Sequence, residues 1–421
     1  MITGSVRPRK QKNVSELSST LASFSAPPAV ALAQAGAFDV IVIGGGIVGC
    51  ASAFFLMREG LRVALVERSH IGGGTTSNSF AWINATSKVA DAAYHRLNAM
   101  GQAGFRALAV EFGEQRLGLR RTGMLLWVCR SHADRFAAVR DQFARLKSYR
   151  YPCAWIDNHE LRALEPHVDF PGDAEGLYAM ADPCLDAPHF TRFLAQELSA
   201  GGASVFEHCP AQALAMSDDG DIEGVVTANG VLPAGKVLVA AGPNTPEVLS
   251  GITGYEGFAR FPVTRVPGLL VSTPSTAPME LVRHVIYAEG DDAVHVLPLP
   301  NGGLKLGADD TDGMVAEPDP SPQRIREAAL MLLRRTRKII PRFAGERCID
   351  QCATGIGVRP YPQDGKTVAG ELPGSNGLFV VATHSGVTLS PAVGSLIAKV
   401  IATGTVPEAL APFALSRFQG L

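Results

Sequence analysis

The chain has 421 residues, of which 46% are hydrophobic and 19% are charged, and its formal net charge at pH 7 is −2. This composition is typical of an α/β enzyme with two domains and excludes a disordered chain. Lys and Arg are balanced by Asp and Glu and form no basic stripe, so a nucleic-acid partner is not expected.

The N-terminal 36 residues are polar and rich in Ser, Ala and Pro, and we expect a disordered tail at 1–36. A targeting role for this tail stays open, but its basic cluster precedes no compact apolar region, which argues against a secretory signal. The seven cysteines are scattered and form no Cys-x-x-Cys pair, which predicts reduced thiols, a cytoplasmic protein and no metal site.

The first predicted elements form a βαβ unit. Residues 38–43 (FDVIVI) are apolar and β-branched and predict a buried parallel strand, and residues 47–58 predict a helix of small and apolar residues. Residues 61–67 (LRVALVE) predict a second strand. The uncharged stretch 40–57 approaches the length of a membrane span, but the glycines in its middle argue against one, so no membrane span is expected.

Further helices are predicted at 131–147, 188–200 and 321–340. The first would have Ser131 as its cap, and the last begins at Ser321-Pro322 and stops before Pro341. Residues 258–308 alternate apolar strands with Pro/Gly turns, which predicts an antiparallel sheet, and residues 236–241 and 378–383 return as buried strands. We therefore expect a discontinuous dinucleotide-binding domain at 37–90, 155–250 and 347–421, and a substrate-binding domain at 91–154 and 251–346.

A glycine turn follows the first strand. Residues 44–49 (GGGIVG) fit the pattern GxGxxG between a strand and a helix, with Ile47 and Val48 opening the helix. Gly44 would permit the tight turn, Gly46 would let the backbone approach a pyrophosphate, and Gly49 would let helix and strand pack closely. Glu67 ends the second strand, where a carboxylate can accept hydrogen bonds from ribose hydroxyls. The complete unit predicts a dinucleotide site.

The fold alone does not decide between FAD and NAD. The segment after Glu67 is rich in glycine and hydroxyl groups and could wrap the pyrophosphate and ring of a flavin, although a flexible surface loop has the same composition. Its candidate contacts are Arg68, Thr75, Thr76, Ser77, Asn78 and Ser79.

From about residue 38 to the C-terminus, the chain resembles the FAD-dependent D-amino acid oxidase superfamily, in its glycine oxidase and sarcosine oxidase branch. The resemblance rests on motifs that occur in the same order as in the family. They are GGGIVGCASAFFLMREGLRVALVER (44–68), TTSNS (75–79), ALEP (163–166), GKVLVAAG (235–242), VRPYPQDGKTVAG (358–370) and THSGVTLSPAVG (383–394). The family implies a Rossmann-like FAD-binding domain of the GR2 type with an inserted substrate domain on an antiparallel sheet.

The resemblance also implies roles for single residues. Arg359 matches the arginine that pairs with the substrate carboxylate, a role that suits a guanidinium fork. His295 falls where glycine oxidases have an active-site tyrosine, and it could hydrogen-bond the substrate amine or accept its proton. Lys305 matches the sarcosine oxidase lysine that helps to activate oxygen near the flavin. Each of the three could instead be a structural residue.

Two positions depart from the sarcosine oxidase pattern. Asp309 stands in place of an active-site histidine, and Gly357 occupies the position of the cysteine that attaches the flavin, so the FAD is expected to be non-covalent. Additional flavin contacts implied by the resemblance are Ala211, Gly242, Ser385, Gly386, Val387 and Thr388, with His384 as a weaker candidate.

The implied reaction oxidises the CH–N bond of a small amino acid, such as a D-amino acid, glycine or a secondary amino acid, to an imine by hydride transfer to flavin N5. Oxygen is the favoured acceptor. Three alternatives stay open: an FAD-dependent dehydrogenase of an imino or hydroxy acid that passes electrons to a quinone or carrier protein, a nicotinamide-dependent dehydrogenase, and a flavoprotein subunit of a larger complex. Apolar strands near 258–275 could also support a homo-oligomer.

Overall fold

The computed structural model describes residues 37–290, 292–317 and 319–418, and the predicted N-terminal tail lies outside these ranges. Its strands are β1 (Val40–Ile43), β2 (Val63–Val66), β3 (Leu119–Arg120), β4 (Met124–Cys129), β5 (Ala154–Ile156), β6 (Ala174–Ala179), β7 (Cys184–Leu185), β8 (Ser204–Phe206), β9 (Ala213–Met216), β10 (Ile222–Thr227), β11 (Gly230–Pro233), β12 (Val237–Val239), β13 (Val263–Ser272), β14 (Val285–Ala288), β15 (Val294–Pro298), β16 (Leu304–Gly307), β17 (Ala353–Pro362), β18 (Val368–Glu371) and β19 (Leu378–Ala382). Its α-helices are α1 (Ile47–Arg58), α2 (Ala92–Phe112), α3 (Glu114–Leu117), α4 (Ala133–Ser148), α5 (Asn158–Leu164), α6 (Ala187–Ala200), α7 (Thr245–Thr253), α8 (Asp309–Met314), α9 (Pro322–Ile339) and α10 (Gly386–Thr403).

A six-stranded sheet in the order β18-β19-β12-β1-β2-β8 carries the predicted βαβ unit. Strands β1 and β2 are parallel neighbours, and β12 and β19 continue the parallel sheet on the other side of β1. All four residues of β1 and of β2 are buried because helices and loops cover both faces of the sheet. The predicted Rossmann-like core is confirmed.

The second large sheet has eight strands in the order β17-β13-β16-β15-β14-β4-β6-β5. Its neighbouring pairs are antiparallel except β14 and β4, which are parallel. The antiparallel sheet predicted at 258–308 is therefore confirmed for β13, β14, β15 and β16. Helix α9 covers one face of this sheet through buried residues such as Leu332 and Leu333.

The sheet memberships differ from the predicted domain boundaries at three places. Strands β5, β6 and β17 belong to the eight-stranded sheet, although we had assigned most of residues 155–179 and 353–362 to the dinucleotide-binding domain. Helix α2, which we had assigned to the substrate-binding domain, shares a hydrophobic core with α1 and α10. Sequence periodicity reveals an element's type but not its packing partner, and the predicted domain boundaries stay a prediction.

The predicted helices at 188–200 and 321–340 correspond to α6 and α9. The Ser321 hydroxyl caps α9 by accepting a hydrogen bond from the Arg324 amide at 3.3 Å, as expected. Ser131 does not cap α4, because the helix begins after His132 and the Ser131 amide donates to the Asp173 carboxylate instead. That cap assignment was wrong.

Of the described residues, one helix, α10, is long and apolar enough to cross a membrane, and 67% of it is buried inside the protein. It packs against α1 so closely that a Cβ atom at Gly394 would lie 2.9 Å from the backbone carbon of Ala51. Helix α10 is therefore apolar because it packs in the core of the protein.

Candidate active site

A cavity of about 1190 Å³ runs from the glycine turn to the face of the eight-stranded sheet. Small-molecule sites commonly have volumes of about 300–1,000 Å³, so this cavity has room for a large cofactor and a small substrate. Its walls come from the β1–α1 turn, the loop after β2, the ends of β12 and β19, and residues of β13 to β17.

The glycine turn forms one end of the cavity. Gly44 has φ +116°, and a Cβ atom at Gly49 would lie 1.9 Å from the carbonyl oxygen of Gly44, so both positions require glycine. A Cβ atom at Gly46 would meet only the Thr76 hydroxyl, at 3.5 Å, because this residue faces the open cavity. Gly46 precedes α1 and has no side chain to cap the helix, while the Thr76 hydroxyl accepts a hydrogen bond from the first helical amide, that of Ile47, at 3.1 Å. This arrangement fits the pyrophosphate of a dinucleotide.

Glu67 lies at the end of β2 and lines the same part of the cavity. Its carboxylate accepts hydrogen bonds from the amides of Gly45 at 2.7 Å and Ser69 at 2.8 Å. Those contacts fix the carboxylate beside the glycine turn, where a ribose could reach it. The predicted position of Glu67 thus fits an adenosine moiety.

A second helix N-terminus points at the cavity. Helix α10 begins at Gly386 without a side-chain cap, and the preceding Ser385 hydroxyl accepts a hydrogen bond from the Tyr94 hydroxyl at 3.0 Å. The Thr388 hydroxyl accepts from the amide of Asn84 at 3.1 Å. Two helix N-termini on one elongated cavity suit a ligand with two electron-rich regions, such as the pyrophosphate and the ring carbonyls of FAD.

The structure places most of the predicted site residues on this cavity. The lining set comprises Gly44, Gly46, Ile47, Val48, Glu67, Arg68, Thr75, Thr76, Asn78, Ser79, Ala211, Gly242, His295, Arg359, Ser385, Gly386, Val387 and Thr388. Three predicted residues do not line it: Gly49 packs beneath the turn, Ser77 donates a hydrogen bond to the carbonyl of Gly74, and Lys305 donates one to the carbonyl of Ser79.

Arg359 lies on β17 at the far end of the cavity. Its Nη2 atom donates to the Asp312 carboxylate at 2.7 Å and to the carbonyl of Pro267 at 3.3 Å. In the described part of the chain, Nη1 forms no hydrogen bond, and the side chain is 40% exposed. The ion pair fixes one edge of the guanidinium and leaves the other edge free for an anion.

His295 and Tyr287 form the floor beside Arg359. They are cross-strand partners on β15 and β14, and their rings stack with centroids 3.8 Å apart. Burial lowers the pKa of His295 to about 4, an effect opposed by the negative charges of Asp309 and Asp310. The imidazole is therefore neutral at pH 7 and can accept a hydrogen bond.

A half-buried lysine that the sequence analysis did not single out, Lys88, also lines the cavity. Its Nζ atom lies 3.3 Å from Nε2 of His384, whose ring stacks on Tyr361. Burial, together with the charge of Arg359, lowers the pKa of Lys88, and burial lowers the pKa of His384 to about 3. The surroundings of Lys88 thus weaken its hold on the ammonium proton, and its neighbour His384 is a neutral imidazole.

Other cavity residues that we had not predicted are Trp82, Tyr287, Glu289 and Asp312. Tyr287 could have been found from the sequence, because it lies on the predicted strand that precedes the strand of His295, and residues on neighbouring antiparallel strands can pair. For Lys88, Glu289 and Asp312 the sequence offered no signal, since each sits outside a recognisable motif.

The glycine turn, the carboxylate at the end of β2 and the two helix N-termini together define an FAD-dependent oxidoreductase. The family model of the FAD-dependent oxidoreductases called DAO matches residues 39–400, and the chain belongs to this family. FAD is therefore its cofactor.

Two curated relatives cover nearly the whole chain. Glycine oxidase from Geobacillus kaustophilus is 26% identical over 394 residues, which are 91% of this chain and 98% of the relative. D-amino acid dehydrogenase from Paramagnetospirillum magneticum is 26% identical over 426 aligned positions, which are 86% of this chain and 94% of the relative. The crystal structure of the Geobacillus glycine oxidase superposes with a TM-score of 0.75 at 25% identity, covering 92% of this chain and 100% of that one.

Proposed function

We propose that the protein oxidises the CH–N bond of a small amino acid, either a D-amino acid, glycine or a secondary amino acid, to an imine. The observation that carries this proposal is the free edge of Arg359 next to the neutral imidazole of His295 on one cavity wall. An arginine of this kind suits a carboxylate, and a neutral imidazole suits an amine. The glycine oxidase and D-amino acid dehydrogenase relatives support the same substrate class.

When bound, FAD would accept the hydride of the substrate, which carries both electrons of the oxidation. The chain's own residues bind and orient the substrate: Arg359 would hold the carboxylate, and Asp312 would keep the guanidinium in place. An imidazole with a pKa of about 4 is a weak base, so the substrate ammonium would lose its proton to solvent, and His295 would accept a hydrogen bond from the resulting neutral amine. The nitrogen lone pair then forms the C=N bond as the hydride leaves, and water hydrolyses the imine.

The flavin is proposed to be bound without a covalent link. A Cβ atom at Gly357 would lie 2.0 Å from the carbonyl oxygen of Asn78, so a cysteine could not occupy this position without moving the loop. Denaturation should release FAD into the supernatant. Flavin that stays with the precipitated protein would contradict this point.

Oxygen is the proposed electron acceptor, and Lys88 is the cation best located to support its reduction. A nearby cation stabilises the negative charge that develops on oxygen, and Lys88 lines the cavity, whereas Lys305 is engaged by the carbonyl of Ser79. The similarity to a D-amino acid dehydrogenase keeps a quinone or carrier protein as the second candidate acceptor.

The test is anaerobic reduction of the purified FAD-loaded protein by a panel of D-amino acids, N-methyl amino acids, cyclic imino acids and 2-hydroxy acids. We expect at least one amine to abolish the visible absorbance of the oxidised flavin and to yield a 2-oxo acid. Readmitted air should restore the absorbance with formation of peroxide. Reduction by hydroxy acids alone would overturn the proposal, and reoxidation only by a quinone would favour the dehydrogenase.

A further inference from the structure

Two carboxylates on the cavity wall differ from the others. Of the five that line it, Glu67 accepts backbone hydrogen bonds, Glu247 pairs with an arginine and Asp312 pairs with Arg359. The side-chain carboxylates of Glu289 and Asp309 line the cavity and form no hydrogen bond or ion pair with any residue that the structure describes. Negative charge at this end of the cavity is therefore incompletely balanced.

Topology brings the two carboxylates to the same end of the sheet. Glu289 follows β14 and Asp309 follows β16, and both strands are antiparallel to the intervening β15. The side chains thus flank His295, which lies near the start of β15. Burial raises the pKa of Glu289, the positive charge of Arg135 opposes that effect, and the negative charge of Asp309 adds to it.

A second, independent feature marks this end as a binding surface. The Tyr287 hydroxyl and the ring nitrogens of His295 belong to half-buried side chains that line the cavity, and they have no hydrogen-bond partner in the described chain. Burial raises the pKa of Tyr287 and lowers that of His295, so both groups are neutral. Buried polar groups without partners are rare unless a ligand or water satisfies them.

We infer that the substrate carries a second cationic group, an ammonium or guanidinium at the far end of its side chain or N-substituent, which binds between Glu289 and Asp309. The inference rests on the proposed function, because it assumes that Arg359 takes the carboxylate. A distal cation would offset the loss of solvation of Glu289, whose pKa is raised mainly by burial. A neutral side chain would add nothing to the charge of Arg135 in offsetting that of Glu289, and an anionic side chain would be repelled.

The first experiment uses the FAD-loaded wild-type protein and substrates of matched shape. Anaerobic flavin reduction is compared for D-ornithine and D-norvaline, for D-arginine and D-citrulline, and for D-glutamate. We expect the apparent Kd for the cationic member of each pair to be at least about tenfold lower, with D-glutamate weakest. Equal Kd values within both pairs would overturn the inference and leave the proposed function intact.

The second experiment measures binding without turnover, through the perturbation of the visible flavin spectrum by 5-aminopentanoate and by pentanoate. Binding should favour 5-aminopentanoate by at least about tenfold in the wild type, and Glu289→Gln and Asp309→Asn should each reduce this preference. Glu317→Gln removes a similar charge from the exposed surface and should leave the preference unchanged. An unchanged preference in both cavity variants would contradict the assignment.

The two proposals fail in different ways. If no amine reduces the flavin while 5-aminopentanoate still binds preferentially, the proposed reaction is wrong and the cation site stands. If neutral amines reduce the flavin as well as cationic ones, and pentanoate binds as tightly as 5-aminopentanoate, the reaction stands and the cation site is wrong.

Discussion

The two ends of the cavity differ in the atoms that form their walls: backbone atoms at one end and side chains at the other. At the glycine turn, the cavity wall is largely backbone: Gly44, Gly46 and the N-terminus of α1, which lie close together in the sequence, with Glu67 beside them. At the sheet end, the wall is side chains from β14, β15, β17 and the segment after β16, which are distant in the sequence. A cofactor common to a whole family can be held by backbone geometry, whereas substrate recognition depends on side chains that can vary.

The largest effect should come from Gly49→Ala. The added methyl group would overlap the carbonyl oxygen of Gly44 at 1.9 Å, and neither backbone segment can move without opening the turn. We expect nearly complete loss of bound FAD, measured as the flavin-to-protein absorbance ratio. Gly172→Ala is the control, because no atom lies within 4 Å of its new Cβ. A Gly49→Ala protein with full flavin content would contradict the claim that the backbone of the glycine turn holds the cofactor.

The next largest effect is expected for Arg359→Lys, which keeps the charge but removes the fork. Loss of bidentate carboxylate binding should raise the apparent Kd of the substrate about a hundredfold, roughly 3 kcal/mol, in anaerobic reduction kinetics. The FAD content should stay the same because Arg359 lies at the sheet end. Loss of FAD instead of substrate affinity would place this residue in the cofactor site.

Lys88→Met should affect the reoxidation of the flavin by oxygen more than its reduction by the substrate. Removal of this half-buried cation is expected to slow reoxidation of the reduced enzyme by oxygen about tenfold to a hundredfold, measured by stopped-flow absorbance, while FAD stays bound. Lys305→Met is the matched control, since that lysine is occupied by the carbonyl of Ser79, and should slow reoxidation less. If Lys305→Met slows reoxidation more than Lys88→Met does, Lys305 and not Lys88 supports the reduction of oxygen.

The smallest effect is expected on the stability of the folded protein, and it comes from the buried polar residues around Asp182. Burial raises the pKa of Asp182 to about 7, and this carboxyl accepts hydrogen bonds from Gln102 at 3.0 Å and from the Tyr151 hydroxyl. Between about pH 4 and 7 the folded state binds more protons at Asp182 than the unfolded state. The contribution of Asp182 to stability is therefore present at low pH and lost as the pH rises through 7.

Asp182→Asn should remove this titration. The free energy of unfolding in urea is measured for both proteins at pH 5 and at pH 8. The value for the variant minus that for the wild type should be larger at pH 8 than at pH 5, by on the order of 1 kcal/mol or more. A difference between the two proteins that does not change with pH would show that Asp182 is ionised across this range in the folded protein, as it is in the unfolded chain, and would contradict the prediction.

The sequence predicted the cofactor end better than the substrate end. Residues 44–49 and Glu67 are local features of one βαβ unit, whose spacing follows from strand and helix geometry. Arg359 and His295 could be named only through the family resemblance, and their roles stay predictions. The cation site could not be anticipated, because Glu289 and Asp309 matter only through the pairing of β14, β15 and β16.

What the sequence alone determined is thus the strand–glycine–helix–strand unit and the type of most later elements, since hydrophobic period and glycine placement are properties of contiguous residues. The tertiary structure decided which sheet β5, β6 and β17 join, which lysine reaches the cavity, and which carboxylates remain without partners. Those outcomes depend on contacts between segments hundreds of residues apart, and periodicity contains no information about them.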